Sequence, residues 1–196
     1  MAHVVGHAAF HRLVAGYLTA GRVRAANLND VGDSLAEFLV DEQLTRSLPF
    51  LPDLARFEWA VARCFHAPTL PVLDPGDLAG WSDADWALAR PQLQPWAEVI
   101  SSPWPILRIW QAREIPVEDI DIDLTSGGDC VLLRRDGFEV CCELIDSAGA
   151  DIFRALRQGA TLEQAVELLA GLAASDFETT LARLSGNGVI RGWSTR

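Results

Sequence analysis

The chain lacks lysine altogether, and this absence removes several enzyme classes at once. All 16 basic residues are arginine, so a P-loop lysine, a Schiff-base lysine and a Ser-Lys pair are each excluded. No stretch approaches the roughly 20 apolar residues that a membrane span needs. The first residues also lack the basic region and the apolar run of a signal peptide. We therefore expect a cytoplasmic protein that has no membrane partner.

Basic charge is also scarce relative to acidic charge. The net charge is −11, which argues against a nucleic-acid partner, because duplex affinity comes mainly from Lys and Arg that neutralise phosphates. The four cysteines have no framework spacing, so we expect reduced thiols and no disulfide. A hydrophobic content of 49% in 196 residues suffices for one large or two small buried cores.

The fold class that the sequence predicts is α+β, with an α-helical N-terminal domain over residues 1–113. Pro52 and Asp53 suit the first turn of a helix that runs to about His66. One face of this helix has the apolar spacing of a core stripe, formed by Leu54, Phe57, Val61, Cys64 and Phe65. We predict further helices over 3–20, 33–42, 83–90 and 92–100, with a proline-rich loop over 67–80.

The second predicted domain, 114–196, begins with alternation typical of a strand. Ile120, Ile122 and Leu124 alternate with Asp119, Asp121 and Asp123. Asp136-Gly137 then predicts a hairpin between strands 130–134 and 138–143. Three helices follow, over 147–158, 161–172 and 175–184, and a last strand over 189–193. Thr161 with Gln164, and Ser175 with Glu178, have capping-box spacing. The expected architecture is a winged-helix or PqqD-like domain with a small antiparallel sheet.

The segment Leu-Pro-Phe-Leu-Pro-Asp-Leu-Ala-Arg-Phe-Glu-Trp-Ala at 48–60 holds more than a core stripe. Together with Ser-Pro-Trp-Pro-Ile at 102–106 and Ile109-Trp110, it resembles the N-terminal domain of the HvfC/BufC family, and the resemblance covers most of residues 7–112. It implies the non-catalytic subunit of a complex with a multinuclear iron-dependent oxidase of TIM-barrel fold. It also implies a ribosomal precursor peptide as the second partner. The compact C-terminal part favours the methanobactin branch of the family.

The C-terminal domain resembles the PqqD-like elements that bind precursor peptides, on its topology and on Leu-Glu-Gln-Ala-Val-Glu-Leu-Leu at 162–169. The resemblance implies that an extended leader peptide adds to a strand edge beside the third helix. The peptide-binding residues are then Phe138, Glu139, Val140, Cys141, Cys142, Glu143, Phe177, Leu181 and Leu184. The helical residues have equally the spacing of a plain core face. The three aspartates either attract a basic leader or keep a strand edge from aggregating.

The N-terminal domain is expected to contact the iron enzyme. Aromatic side chains and arginine are enriched where proteins dock. The expected interface residues are Arg56, Glu58, Trp59, Trp104 and Trp110, although some of these aromatic side chains belong to the core.

Catalysis within this chain finds no support in the sequence. His3, His7 and His11 would share a helix face, but carboxylate or cysteine partners are not evident near this terminal segment, so we expect no metal site. Cys141 and Cys142 are neighbours in a strand and face opposite sides. Ser147-Ala148-Gly149 lacks the second glycine of a nucleophile elbow. We expect no cofactor in this chain and iron in the partner enzyme.

The expected function is leader-peptide recruitment for conversion of cysteines to oxazolone and thioamide groups in methanobactin biosynthesis. One alternative within the family is a subunit that serves another cysteine-rich peptide of the bufferin type. A winged-helix transcription regulator is the alternative from another class. Asp176 and Glu178 near the start of the third helix would repel phosphates. Residues 116–196 hold 14 acidic and 7 basic residues, a net charge of −7, which better suits a basic ligand.

Overall fold

The computed structural model describes residues 1–21, 31–73, 78, 80–168 and 174–195. The chain divides into two compact units, 1–63 with 100–129 and 64–99 with 130–196. These units are not the same segments as the two predicted domains, 1–113 and 114–196, whose limits stay a prediction. In the described segments no helix combines the length and apolar character needed to cross a bilayer.

The architecture is mixed α+β, which confirms the predicted class at this level. Its helices and strands follow one another as α1 Ala2–Val5, α2 His7–Thr19, α3 Leu35–Val40, α4 Leu51–His66, α5 Asp83–Ala87, β1 Arg90–Leu93, β2 Glu98–Ser102, α6 Ile106–Gln111, β3 Asp129–Asp136, β4 Glu139–Ile145, α7 Ser147–Arg157, α8 Leu162–Leu168, α9 Ala174–Gly186 and β5 Ile190–Ser194. The strands form two small antiparallel sheets, β1-β5 and β2-β3-β4. The winged-helix or PqqD-like assignment stays a prediction.

Helix α4 confirms the predicted helix that has Pro52 and Asp53 in its first turn and ends at about His66. Pro52 lies in its first turn, where a missing N–H costs nothing, and Leu54 and Phe57 are fully buried. The predicted stripe is wrong at its end, because Phe65 is 49% exposed. The single predicted helix over 3–20 is also divided in two at Gly6, whose φ of 80° leaves the helical region.

Residues 92–100, predicted as a helix, instead contribute to β1 and β2. Pro95 would lie inside such a helix, where proline lacks the N–H for a helical hydrogen bond and its ring clashes with the preceding turn. Strand β1 pairs antiparallel with β5, with Pro91 opposite Trp193. Proline is tolerated in such a two-stranded sheet, where its missing N–H can face away from the partner strand. The partner strand lies about 100 residues later in the sequence, so local periodicity gave no sign of the pairing.

The predicted strand over 119–124 is wrong, because this segment has no strand pairing in the described part of the chain. A short 3-10 turn occupies Val117–Asp119. Asp123 then accepts hydrogen bonds from the backbone N–H and Oγ1 of Thr125 at 2.8 and 2.6 Å, which turns the chain. Burial still alternates along this segment although it is in no sheet. Ile120, Ile122 and Leu124 are half-buried, and the aspartates between them are exposed.

Residues 130–196 follow the predicted order of strands and helices more closely. Strands β3 and β4 confirm the hairpin, and α7, α9 and β5 confirm the predicted elements to within a few residues. Helix α8 confirms its first part, and residues 169–173 lie outside the described residues. The capping box at Thr161 and Gln164 is confirmed, with backbone to side-chain distances of 3.0 and 3.1 Å.

Candidate peptide-binding edge

The hairpin β3–β4 positions the predicted peptide-binding strand. Its turn is Gly137-Phe138, and Gly137 has a φ of 58°, which glycine adopts without a Cβ clash. The register pairs Asp136 with Glu139 beside the turn and Cys130 with Ile145 at the far end. Phe138 is 91% exposed at the tip of the hairpin. The predicted residues 138–143 therefore form one continuous stretch on this element.

One edge of β4 has no neighbouring strand among the described residues, because the sheet order is β2-β3-β4. In a hairpin with a two-residue turn, the two residues that flank the turn hydrogen-bond to each other. Beyond them, pairs without mutual hydrogen bonds alternate with hydrogen-bonded pairs. This alternation directs the N–H and C=O groups of Val140 and Leu144 away from β3. Leu144 is itself 56% exposed. The edge thus offers backbone groups to an extended peptide.

An ion pair fixes one face of the hairpin. The guanidinium of Arg134 donates from Nε to Oε1 of Glu143 at 2.6 Å, and its Nη2 forms an ion pair with the same oxygen at 2.6 Å. Asn187, just after α9, donates to the other carboxylate oxygen at a longer 3.4 Å. Burial alone would lower the pKa of Arg134, but the hydrogen bond and the charge of Glu143 outweigh it and raise this pKa. Arg134 and Asn187 therefore hold the carboxylate of Glu143 in place.

The other face of the hairpin contacts the last turn of α4 and the segment that follows it. Arg135 donates to the carbonyl oxygens of Phe65 and Ala67, both at 2.8 Å, and to the hydroxyl of Thr69. Cys64 is 1% exposed, and burial raises the pKa of its thiol to about 11, although the charge of Arg135 lowers it. At neutral pH this thiol is protonated and is not a nucleophile.

Helix α9 contributes only part of its predicted set to a cavity beside the hairpin. Leu184 is buried and lines a cavity of about 90 Å³. Phe177 and Leu181 are half-buried, and neither lines this cavity. The other lining residues, from β3, the end of β4, α7 and α9, are Leu132, Ile145, Asp146, Gly149, Phe153, Thr179, Thr180 and Arg183.

Most of these lining residues were not predicted from the sequence. Thr180 lies four residues before Leu184, so helical spacing was a usable signal for it. The contribution of α7 had no such signal, because it depends on how α7 packs against α9. The cavity volume of about 90 Å³ corresponds to the volume that about three water molecules occupy in the liquid. The cavity therefore has room for a small side-chain group and not for a peptide segment, whose backbone would lie along β4.

Three predicted interface residues of the first unit form contacts within that unit. Arg56 is exposed and forms an ion pair with Asp53, one turn earlier in α4. The indole N–H of Trp59 donates to a carboxylate oxygen of Asp33. Trp104 is half-buried at the bend between β2 and α6, where its backbone N–H donates to Oγ of Ser102 at 3.2 Å. Their role in binding a partner stays a prediction.

The other two predicted interface residues also have internal partners. Glu58 forms an ion pair with the α-amino group of Met1. The ring of Trp110 contacts Phe57 edge-on, with centroids 5.4 Å apart, and the guanidinium carbon of Arg113 lies 3.3 Å from the centroid of the Trp110 ring. Such stacked pairs stabilise a fold and also occur in interface anchors.

The residues described here bring together no group of three or more His, Cys, Asp or Glu side chains that could hold a metal ion. His3 and His7 lie on opposite sides of the helix break at Gly6, and the ring of His3 hydrogen-bonds the carbonyl oxygen of Ile115 at 2.9 Å. The predicted shared face is therefore wrong for His3, whereas His7 and His11 lie four residues apart in α2 and do share a face. The iron expected in a partner enzyme stays a prediction.

No protein-family model matches this chain, and no curated protein matches it either. Family membership therefore stays a prediction from the sequence resemblance. The geometry of the β4 edge is the structural observation that bears on function.

Proposed function

We propose that this chain is a non-catalytic subunit that recruits a ribosomal precursor peptide to an iron-dependent oxidase of TIM-barrel fold. The leader of the peptide adds as an extended strand to β4. The partner enzyme holds the iron and converts cysteines of the peptide to oxazolone and thioamide groups, as in methanobactin biosynthesis. This chain supplies positioning, which raises the effective concentration of the peptide beside the metal.

The open edge of β4 is the observation that supports this proposal most. Backbone hydrogen bonds to an added strand give affinity, and pockets for alternate side chains give specificity. Val140 and Leu144 present the outward backbone groups, and the exposed ring of Phe138 extends the apolar contact at the hairpin tip. The acidic balance of residues 116–196 favours a leader that has basic residues.

A matched pair of substitutions at Leu144 tests strand addition. Leu144→Pro removes the outward N–H together with the isobutyl group, while Leu144→Ala removes the isobutyl group and keeps that N–H. We expect the proline variant to lose most of its binding to the leader peptide by isothermal titration calorimetry. The alanine variant should keep binding within a few-fold. Circular dichroism of both variants establishes whether the hairpin is still folded.

Equal leader binding by the two variants, with both folded, would contradict strand addition at β4. A precursor peptide of another cysteine-rich class that binds in place of a methanobactin precursor would move the assignment to the bufferin-type alternative. Salt-sensitive DNA binding by a self-associated chain would support the regulator alternative instead.

A further inference from the structure

An apolar cavity of about 310 Å³ lies within the first unit. Phe50, Ile109 and Ala112 are its buried lining residues. The remaining lining comes from α1 and from the segment that was predicted as a strand, namely His3, Val4, Ile120, Ile122 and Leu124. The volume is at the lower end of that of ligand pockets, about 300 Å³. It is large enough for one bulky apolar side chain.

Water in this cavity meets few polar groups. His3 is its one polar lining side chain, and the imidazole is already hydrogen-bonded to the carbonyl oxygen of Ile115. Displacing poorly held water by an apolar group is favourable. The occupant that fits the cavity is therefore an aliphatic or aromatic group.

Three exposed carboxylates lie beside the cavity in sequence and alternate with its lining residues. Asp119, Asp121 and Asp123 are exposed, while the apolar residues between them are half-buried. Hydrogen bonds from Thr125 hold the pKa of Asp123 below its usual value, so this carboxylate stays charged. An occupant with positive charge on both sides of an apolar group matches this alternation.

The backbone of the same segment is available for pairing. Residues 120–122 have no regular secondary structure and form no backbone-to-backbone hydrogen bond with the described part of the chain. We propose that residues 119–124 and the adjoining cavity bind an extended basic segment of a partner protein. One apolar side chain of that segment fills the cavity, and flanking arginines or lysines pair with the aspartates. This proposal does not depend on leader binding at β4.

Peptide titrations of the full chain test this inference. The probe is the acetylated and amidated peptide Arg-Ile-Arg-Leu-Arg, and the controls are Arg-Ser-Arg-Ser-Arg and Glu-Ile-Glu-Leu-Glu. Methyl NMR follows Ile109, Ile120 and Ile122. We expect the basic apolar probe to shift these methyl signals in a saturable, salt-sensitive manner. Both control peptides should bind at least tenfold more weakly.

Two double variants separate local charge from overall charge. Asp119→Asn with Asp121→Asn should weaken the probe about 2- to 30-fold, the effect of losing two exposed charge pairs. Glu163→Gln with Glu167→Gln on α8 changes the net charge equally and should leave binding unchanged. The proposal is overturned by equal weakening in both double variants, by equal binding of the serine peptide, or by unchanged methyl signals at Ile120 and Ile122.

Discussion

The ion pair between Arg134 and Glu143 should stabilise the hairpin that presents the proposed binding edge. Its side chains are only 18% and 30% exposed, and two nitrogen–oxygen distances of 2.6 Å join them. Fully exposed pairs contribute about 0.2–1 kcal/mol, and removal of a hydrogen bond to a charged group costs about 1.5–3 kcal/mol. We therefore expect Glu143→Gln to lower the free energy of unfolding by about 1–2 kcal/mol.

A double-mutant cycle isolates the pair itself. Arg134→Met keeps the aliphatic stem and removes the charge, and the cycle with Glu143→Gln should give a coupling energy of about 1 kcal/mol in urea unfolding. The exposed pair Arg154–Asp151 on α7, with side chains 39% and 67% exposed, is the matched control and should couple by about 0.3 kcal/mol. A coupling within about 0.3 kcal/mol of zero for Arg134 and Glu143 would refute this reasoning.

Three further predictions test other parts of the fold. A Cβ at residue 32 would overlap the ring of Trp59. Gly32→Ala should therefore lower the free energy of unfolding in urea by about 1–3 kcal/mol. Unchanged stability would show that residue 32 and the Trp59 ring are not closely packed. Thr161→Ala should cost about 1 kcal/mol and lower Tm by about 2–4 °C, whereas Thr161→Ser should keep most of the cap; equal loss in both variants would contradict capping. Because burial raises the pKa of Cys64 to about 11, the native state holds this proton while the unfolded state releases it between about pH 9 and 11. Stability should therefore fall across that range by at most about 3 kcal/mol relative to Cys64→Ala, and parallel pH profiles would contradict the raised pKa.

Elements that depend on local chemistry were predictable from the sequence. Asp136-Gly137 predicts the hairpin because glycine supplies the positive φ that the turn requires. Pro52 and Asp53 likewise mark the first turn of α4. The capping box at Thr161 and Gln164 is also a contact between residues three apart. In each case the residues that decide the structure are neighbours in the chain.

Elements that depend on distant pairing were not predictable. Strand β1 forms because residues 190–194 pair with it, and nothing near residue 90 shows that partner. The segment 119–124 has the period of a strand, but its apolar side chains line a cavity with Phe50 and Ile109 instead of facing a sheet. Alternation indicates which side chains face inward, and the presence of a neighbouring strand decides whether a sheet forms.

The candidate peptide-binding edge was predictable in the same limited sense. Hairpin residues 138–143 are contiguous in the sequence, so predicting the hairpin brings them together. The helical residues Phe177, Leu181 and Leu184 share a spacing, but only Leu184 lines the cavity beside β3. Which helical side chain reaches that cavity depends on how α9 packs against α7, and helical spacing does not specify this packing.

The most direct measurement of the central claim is the mass of a candidate precursor peptide after co-expression with the candidate iron oxidase, with and without this chain. We expect a complex of all three to copurify and the mass of the peptide to change only when this chain is present. Leu144→Pro should reduce that change much more than Leu144→Ala does. Two results would contradict the proposed recruiting role. One is an unchanged peptide mass when the peptide, the oxidase and this chain are all present, and the other is the same change in peptide mass without this chain.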